Sequence, residues 1–179
     1  NLVGSTRPFK PRMFYSIKPI TLSKNKNLLI YFLNSIPKGK KTFRYFENRS
    51  LNIISNHIYS CMKIISSFED IPVAYGHLEL EKDKLWLGVS VADNYVGKGF
   101  GESMMLHLIK VARKLKIKDN IYLSLDEENF KAKKLYEKLG FIYLKKIKKR
   151  HFFYLYTPVA QHNVKSTPVD EHKRDATTE

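Results

Sequence analysis

The stretch that most constrains this chain is an apolar strand that runs into a glycine-rich turn and on into a helix. Leu85-Trp-Leu-Gly-Val-Ser-Val91 is apolar and β-branched, and Ala92-Asp-Asn-Tyr-Val96 leads into Gly97-Lys-Gly-Phe-Gly101. From there apolar residues recur at helical spacing: Met104, Met105, Leu108, Val111, Ala112 and Leu115. The alternate glycines let the backbone bend tightly and gather several N–H groups, and the helix adds the positive end of its dipole. Such a turn suits a pyrophosphate, and Lys98 adds charge beside it. A Walker A loop is excluded, because Lys98 is followed by Gly99 and not by Ser or Thr. The dinucleotide fingerprint fits poorly too, since the glycines here read G-x-G-x-G. By itself the turn fits a plain strand-to-helix connection as well.

Element order narrows the fold. Alternation predicts strands over Phe14–Thr21, Ile58–Ser67, Ile71–Lys82 and Lys84–Ala92, with a short helix capped by Ser23 and another over Ser50–Asn56 between the first two. After the helix Gly99–Leu115 come a strand Ile121–Leu125, a helix Asn129–Leu139 closed by Gly140, and a hairpin of Phe141–Ile147 with Arg150–Tyr156. This is an α/β (α+β) order with one parallel crossover in the middle of the sheet. The domain is expected to span 13–157, between an extension 1–12 and a polar tail 158–179.

The segment after the crossover is Asn129-Phe-Lys-Ala-Lys-Lys-Leu-Tyr136-Glu-Lys-Leu-Gly-Phe141. It resembles the N-x-x-A-x-x-L-Y-x-x-x-G-F signature of the GNAT superfamily of N-acetyltransferases, and the glycine turn resembles their Q/R-x-x-G-x-G/A motif, with Val96 in the place of the usual Gln or Arg. The resemblance is specific over 85–141. It implies a mixed, mostly antiparallel sheet of about seven strands with helices on both faces, and acetyl-CoA as cosubstrate without a metal. Backbone groups of Val89 and Val91 would pair with the pantetheine arm. The amides of Val96, Gly97, Lys98, Gly99, Phe100, Gly101 and Glu102 would hold the pyrophosphate, and Asn129 the pantetheine. Tyr136 would protonate the departing thiolate. An amine attacking a thioester makes an oxyanion that needs a fixed donor, and a thiolate that benefits from an acid. On periodicity alone Tyr136 reads as a core tyrosine and Asn129 as an N-cap. Met104 and Met105 read as core, and His107 as structural or surface.

The acceptor side is less marked. Tyr75, His77, Glu79 and Glu81 share one strand face, and His77 and Glu79 are the candidate bases. His57 and Cys61 read as structural. The basic aromatic run Lys38–Phe46 falls where the family binds its acceptor, and it resembles members that acylate amino sugars, nucleotide-linked ones included. Phe43, Arg44, Tyr45 and Phe46 are thus candidate acceptor residues, with Arg44 pairing to a diphosphate and an aromatic ring stacking on a sugar or base. A solvated basic loop is the plainer alternative. Lys145–Arg150 reads as a solvated hairpin tip.

A formal net charge of +15 favours anionic partners without choosing among them. Cys61, the one cysteine, cannot close a disulfide or build a zinc site, which points to a reducing, cytoplasmic setting. No apolar run approaches the ~20 residues of a membrane span, and no nucleic-acid-binding motif is present. The expected partner is a small-molecule amine, with a monomer or homodimer as assembly. A protein N-terminal or lysine acetyltransferase and a non-catalytic acyl-CoA-binding module stand as alternatives.

Overall fold

A computed structural model describes residues 13–39 and 43–158. The extension 1–12 and the tail beyond Pro158 lie outside the described residues. The strands are β1 (Phe14–Pro19), β2 (Tyr59–Ser66), β3 (Asp70–Glu81), β4 (Lys84–Val91), β5 (Asn120–Asp126), β6 (Ile142–Ile147) and β7 (Arg150–Tyr156). The helices are α1 (Leu22–Asn34), α2 (Phe100–Leu115) and α3 (Phe130–Lys138), with a short 3-10 turn at Leu51–Asn56. One seven-stranded sheet has the order β1-β2-β3-β4-β5-β7-β6. All pairings are antiparallel except β4 with β5, which α2 joins as a crossover.

The expected elements therefore form, with shifts of a residue or two at their ends. One local expectation fails: Thr21, not Ser23, is the N-cap of α1, and it has no side-chain cap bond. Ser23 falls inside the first turn with its hydroxyl 3.1 Å from that of Thr21, while Asn25 accepts from the Thr21 N–H at 3.1 Å. The helix thus draws its capping interaction from a residue four positions in.

Helices lie on both faces of the sheet, so the central strand β3 is buried from Pro72 to Leu78. Ala74 and Leu78 join Met104, Met105 and Leu108 of α2 in one core, whereas Tyr75 joins Leu29 and Phe32 of α1 in the other. This is the period-two alternation of a strand covered on both sides. Among the described residues no helix is long and apolar enough to cross a membrane.

What opens a site is the seam between β4 and β5. They pair only at Leu85↔Ile121 and Trp86↔Tyr122, and then diverge. From Leu87 to Val91 β4 keeps β3 on one edge and has lost β5 on the other.

Candidate active site

The divergence makes a cleft of ≈ 860 Å³ that runs past β4 from the glycine turn to the turn holding Tyr45. The N–H of Ala92 donates to Val73 O at 2.8 Å. Backbone polarity alternates along a strand, so the N–H and C=O groups of Val91 and Val89 point away from β3, into the gap. An extended ligand arm can pair with them as a strand would.

At the end of β4 a 3-10 turn, Asp93–Tyr95, carries the chain to the start of α2. Gly97 (φ +81°) and Gly99 (φ +82°) both adopt the left-handed conformation, and Gly99 is the N-cap of α2. A Cβ there would meet nothing within 4 Å, so glycine is needed for its dihedrals and not for space. Val96, Gly97, Gly99, Gly101 and Glu102 line the cleft. Lys98 and Phe100 do not: Lys98 Nζ lies 5.3 Å from the Tyr95 ring, and the Phe100 ring packs on Tyr15 and Tyr95. Their amides belong to the turn, but the Lys98 side chain is exposed and that of Phe100 serves packing. Glu102 is bridged by Lys138 at 2.9 Å, which ties α2 to α3.

Asn129 caps α3, its Oδ1 accepting from the Ala132 N–H at 3.2 Å. Its carboxamide NH₂ is left to serve a ligand, since Asn129 also lines the cleft. Tyr136 lines it two helical turns further on, and burial pushes its hydroxyl up to about 12 against the opposing charge of Arg150. The hydroxyl is therefore protonated throughout the neutral range. Arg150, read from sequence as a solvated hairpin tip, instead lines the cleft and donates to Ser124 Oγ at 2.9 Å through Nη2. The register Asp126↔Arg150 brings it there, because β7 runs back alongside β5.

At the other end Tyr45, His57, His77 and Glu79 converge. Tyr45 Oη donates to Glu79 Oε2 at 3.1 Å and is hydrogen bonded to His57 Nε2. His57 Nδ1 is 2.7 Å from Ser60 Oγ, and His77 Nδ1 is 3.1 Å from Tyr75 Oη. The His77 ring lies 4.3 Å from that of Tyr45 and 4.5 Å from that of His57. Burial, with the charge of Arg49 behind it, lowers His57 to about 4. Burial also lowers His77 well below its ordinary value, helped by His57 and Arg49. Both imidazoles are neutral at neutral pH. Burial and then the Glu79 carboxylate raise the Tyr45 phenol.

Phe43, Arg44 and Tyr45 line the cleft along with Arg49, Glu79 and Glu81, but Phe46 does not. Its ring turns into the second core, 5.5 Å from Tyr75, because a turn cannot present four consecutive side chains on one side. Sequence reading passed over His57, Arg49 and Arg150 as site residues. His57 meets Tyr45 and Arg150 meets Ser124 only in the fold, and no local pattern marks either pair. Cys61 is buried and its thiol is pushed up to about 12 by that burial, which leaves it inert. His107 bonds Tyr59 Oη at 2.8 Å, away from the cleft.

Residues 36–141 match the model of the Acetyltransferase (GNAT) family. Among curated proteins none matches in sequence. Solved structures share the fold. A GNAT-family acetyltransferase from Staphylococcus aureus superposes with a TM-score of 0.63 at 20% identity, over 81% of this chain and 100% of its own. One from Streptococcus pneumoniae gives 0.66 at 15% identity, over 81% and 100%. The ribosomal-protein alanine N-acetyltransferase of Escherichia coli gives 0.60 at 16% identity, over 84% and 99%. The family match, the mixed sheet and the cleft beside the glycine turn agree: this chain belongs to the GNAT acetyltransferase family.

Proposed function

We propose that the chain transfers an acetyl group from acetyl-CoA to the primary amine of a small acceptor that also carries negative charge, an amino sugar or nucleotide-linked amino sugar fitting best. The observation that carries this reading is the makeup of the acceptor end. Two carboxylates, Glu79 and Glu81, suit an ammonium, while Arg44, Arg49 and Arg150 line the same cleft and suit a phosphate.

In this reading the turn at Val96–Glu102 holds the pyrophosphate, Val89 and Val91 take the pantetheine arm, and Asn129 steadies it. Glu79 accepts the ammonium proton. The neutral amine attacks the thioester carbon, the carbonyl oxygen takes the electron pair beside the Val91 N–H, and the intermediate collapses as the C–S bond breaks. Tyr136 gives its proton to the thiolate and regains one from solvent, while the attacking nitrogen releases its surplus proton to solvent as the amide forms. His77 is a poorer base than Glu79, since burial disfavours its charged form. The catalytic unit is taken as residues 13–157, and the lone buried cysteine supports a reducing, cytoplasmic setting.

Turnover of acetyl-CoA against nucleotide-amino-sugars, amino sugars, polyamines and peptides tests the reading. The highest kcat/KM is expected for an anionic amino sugar. A preference for peptide N-termini would overturn it in favour of protein acetylation, the activity of the Escherichia coli enzyme of like fold.

A further inference from the structure

We propose that His57, His77 and Glu79 form a binding site for a borderline divalent cation, zinc above all, at the acceptor end of the cleft. One ligand atom from each residue lies within 4.8 Å of the other two. Two imidazoles and a carboxylate are the donor set of three-protein-ligand zinc sites, in which a fourth position stays open. Such a set does not suit magnesium or calcium, which prefer oxygen. Counting cysteines had set zinc aside, but this donor set needs none.

The surroundings are those of a metal site as well. Each imidazole has its Nδ1 held by a hydroxyl, His57 by Ser60 at 2.7 Å and His77 by Tyr75 at 3.1 Å. Bonds of this kind fix ring orientation, and Nε2 coordinates when the ring proton sits on Nδ1; at His57 the proton shared with Tyr45 must therefore pass from Nε2 to Nδ1 as a cation enters. His77 is further fixed by Gly88, where a Cβ would fall 2.7 Å from its Nε2.

A tetrahedral zinc holds its donors roughly 3.3 Å apart, as bonds of about 2.0–2.1 Å require. The cluster must therefore close around the fixed His77, by movement of His57 and Glu79, as the cation enters. Tyr45 Oη, which bridges His57 and Glu79, then leaves or becomes the fourth ligand. Zinc on Glu79 would also withdraw the carboxylate assigned to the amine proton, so inhibition of acetyl transfer rests on the proposed function, whereas binding does not.

Calorimetric titration of the full chain with zinc chloride in a non-chelating buffer, without acetyl-CoA, tests the site. One equivalent of zinc is expected to bind, and magnesium chloride to give no signal. His57→Ala and Glu79→Gln, each confirmed as folded by its melting profile, should weaken binding at least about tenfold. Cobalt should give the intense visible bands of a four-coordinate ion. Absence of zinc binding at about 100 µM, corresponding to less than ~5.5 kcal/mol, overturns the proposal. So does binding that survives both substitutions, since it then belongs to other side chains. Zinc that binds here yet leaves turnover unchanged upholds the site and removes Glu79 as base.

Discussion

Tyr45 and Glu79, 34 positions apart, are joined by a 3.1 Å hydrogen bond from phenol to carboxylate. His57 bonds the same phenol from its other side. An ionised carboxylate only accepts, so the Tyr45 proton is committed to Glu79 and His57 must donate through Nε2. Tyr45, expected as a platform for the acceptor, is thereby a fixed neighbour of the proposed base.

Removing that hydroxyl should disturb the base without touching the cofactor end. Tyr45→Phe keeps the ring against His77 and Phe46. A fall in kcat of about tenfold is expected, the lower end of what a hydrogen bond to a charged group is worth. Acetyl-CoA affinity, measured by calorimetry, should be unchanged. If kcat is unchanged while the acceptor KM rises, Tyr45 binds acceptor and does not hold Glu79.

Tyr136→Phe should lower kcat by roughly 10–1,000-fold, the scale of one general acid, with little change in acetyl-CoA binding. Because burial holds the hydroxyl at about 12, the wild-type rate should show no loss of acid from this group below about pH 11. A phenylalanine variant with near-normal turnover, chemistry being rate-limiting, would reduce Tyr136 to a packing residue beside Phe141.

The cofactor half was legible because its parts are local. Gly97, Gly99 and Asn129 act through dihedrals and caps set within a few residues, so their spacing in the chain carries the geometry. The acceptor half depends on long-range meetings. His57 reaches Tyr45 over 12 positions, and Arg150 reaches Ser124 over 26. Neither partner carries a local pattern that announces the other. Phe46 shows the same limit on a smaller scale: whether it faces cleft or core depends on the path of the turn, which composition does not fix.

Stability should decline on acidification because of the histidines. The folded value of His57, about 4, lies below its ordinary 6.5. Between those values the unfolded chain binds a proton that the native state refuses, so stability present above pH 6.5 is lost progressively as pH falls toward 4. His77, also lowered, acts in the same direction. Urea midpoints across this range should therefore drop less steeply in His57→Gln than in the wild type. Parallel curves would show that His57 is not held neutral in the fold.

The glycine turn makes a sharper distinction than its spacing does. Gly99→Ala forces an L-residue to φ +82° and should cost about 1–2 kcal/mol or shift the turn, with acetyl-CoA affinity falling in either case. At Gly101 an added Cβ meets Val91 Cγ2 at 3.5 Å and Leu135 Cδ2 at 3.8 Å, ordinary contacts. Gly101→Ala should therefore melt near the wild type, and any loss of acetyl-CoA affinity in it reports the approach of the phosphates alone. Equal losses of stability in the two variants would mean that α2 starts differently in solution.

Gly88 is the residue that makes room for His77. A Cβ built on it falls 2.5 Å from His77 Cε1 and 2.7 Å from Nε2, closer than packed atoms come. His77 cannot step aside, since its ring lies tilted against Tyr45 and stacked on His57 and its Nδ1 is held by Tyr75. Gly88→Ala should thus be destabilising by about 1–3 kcal/mol, the usual scale of overpacking. The crowding is specific to one pair, so it should vanish when the imidazole is removed. In His77→Ala the added methyl at position 88 is expected to cost little, so the double variant loses less than the sum of the two singles, a coupling of opposite sign to the Gly88→Ala loss and about the same size. Urea denaturation of the four proteins measures it. Additive losses would mean that Gly88 and His77 do not meet as described, and that the imidazole is free to reorient in the cleft.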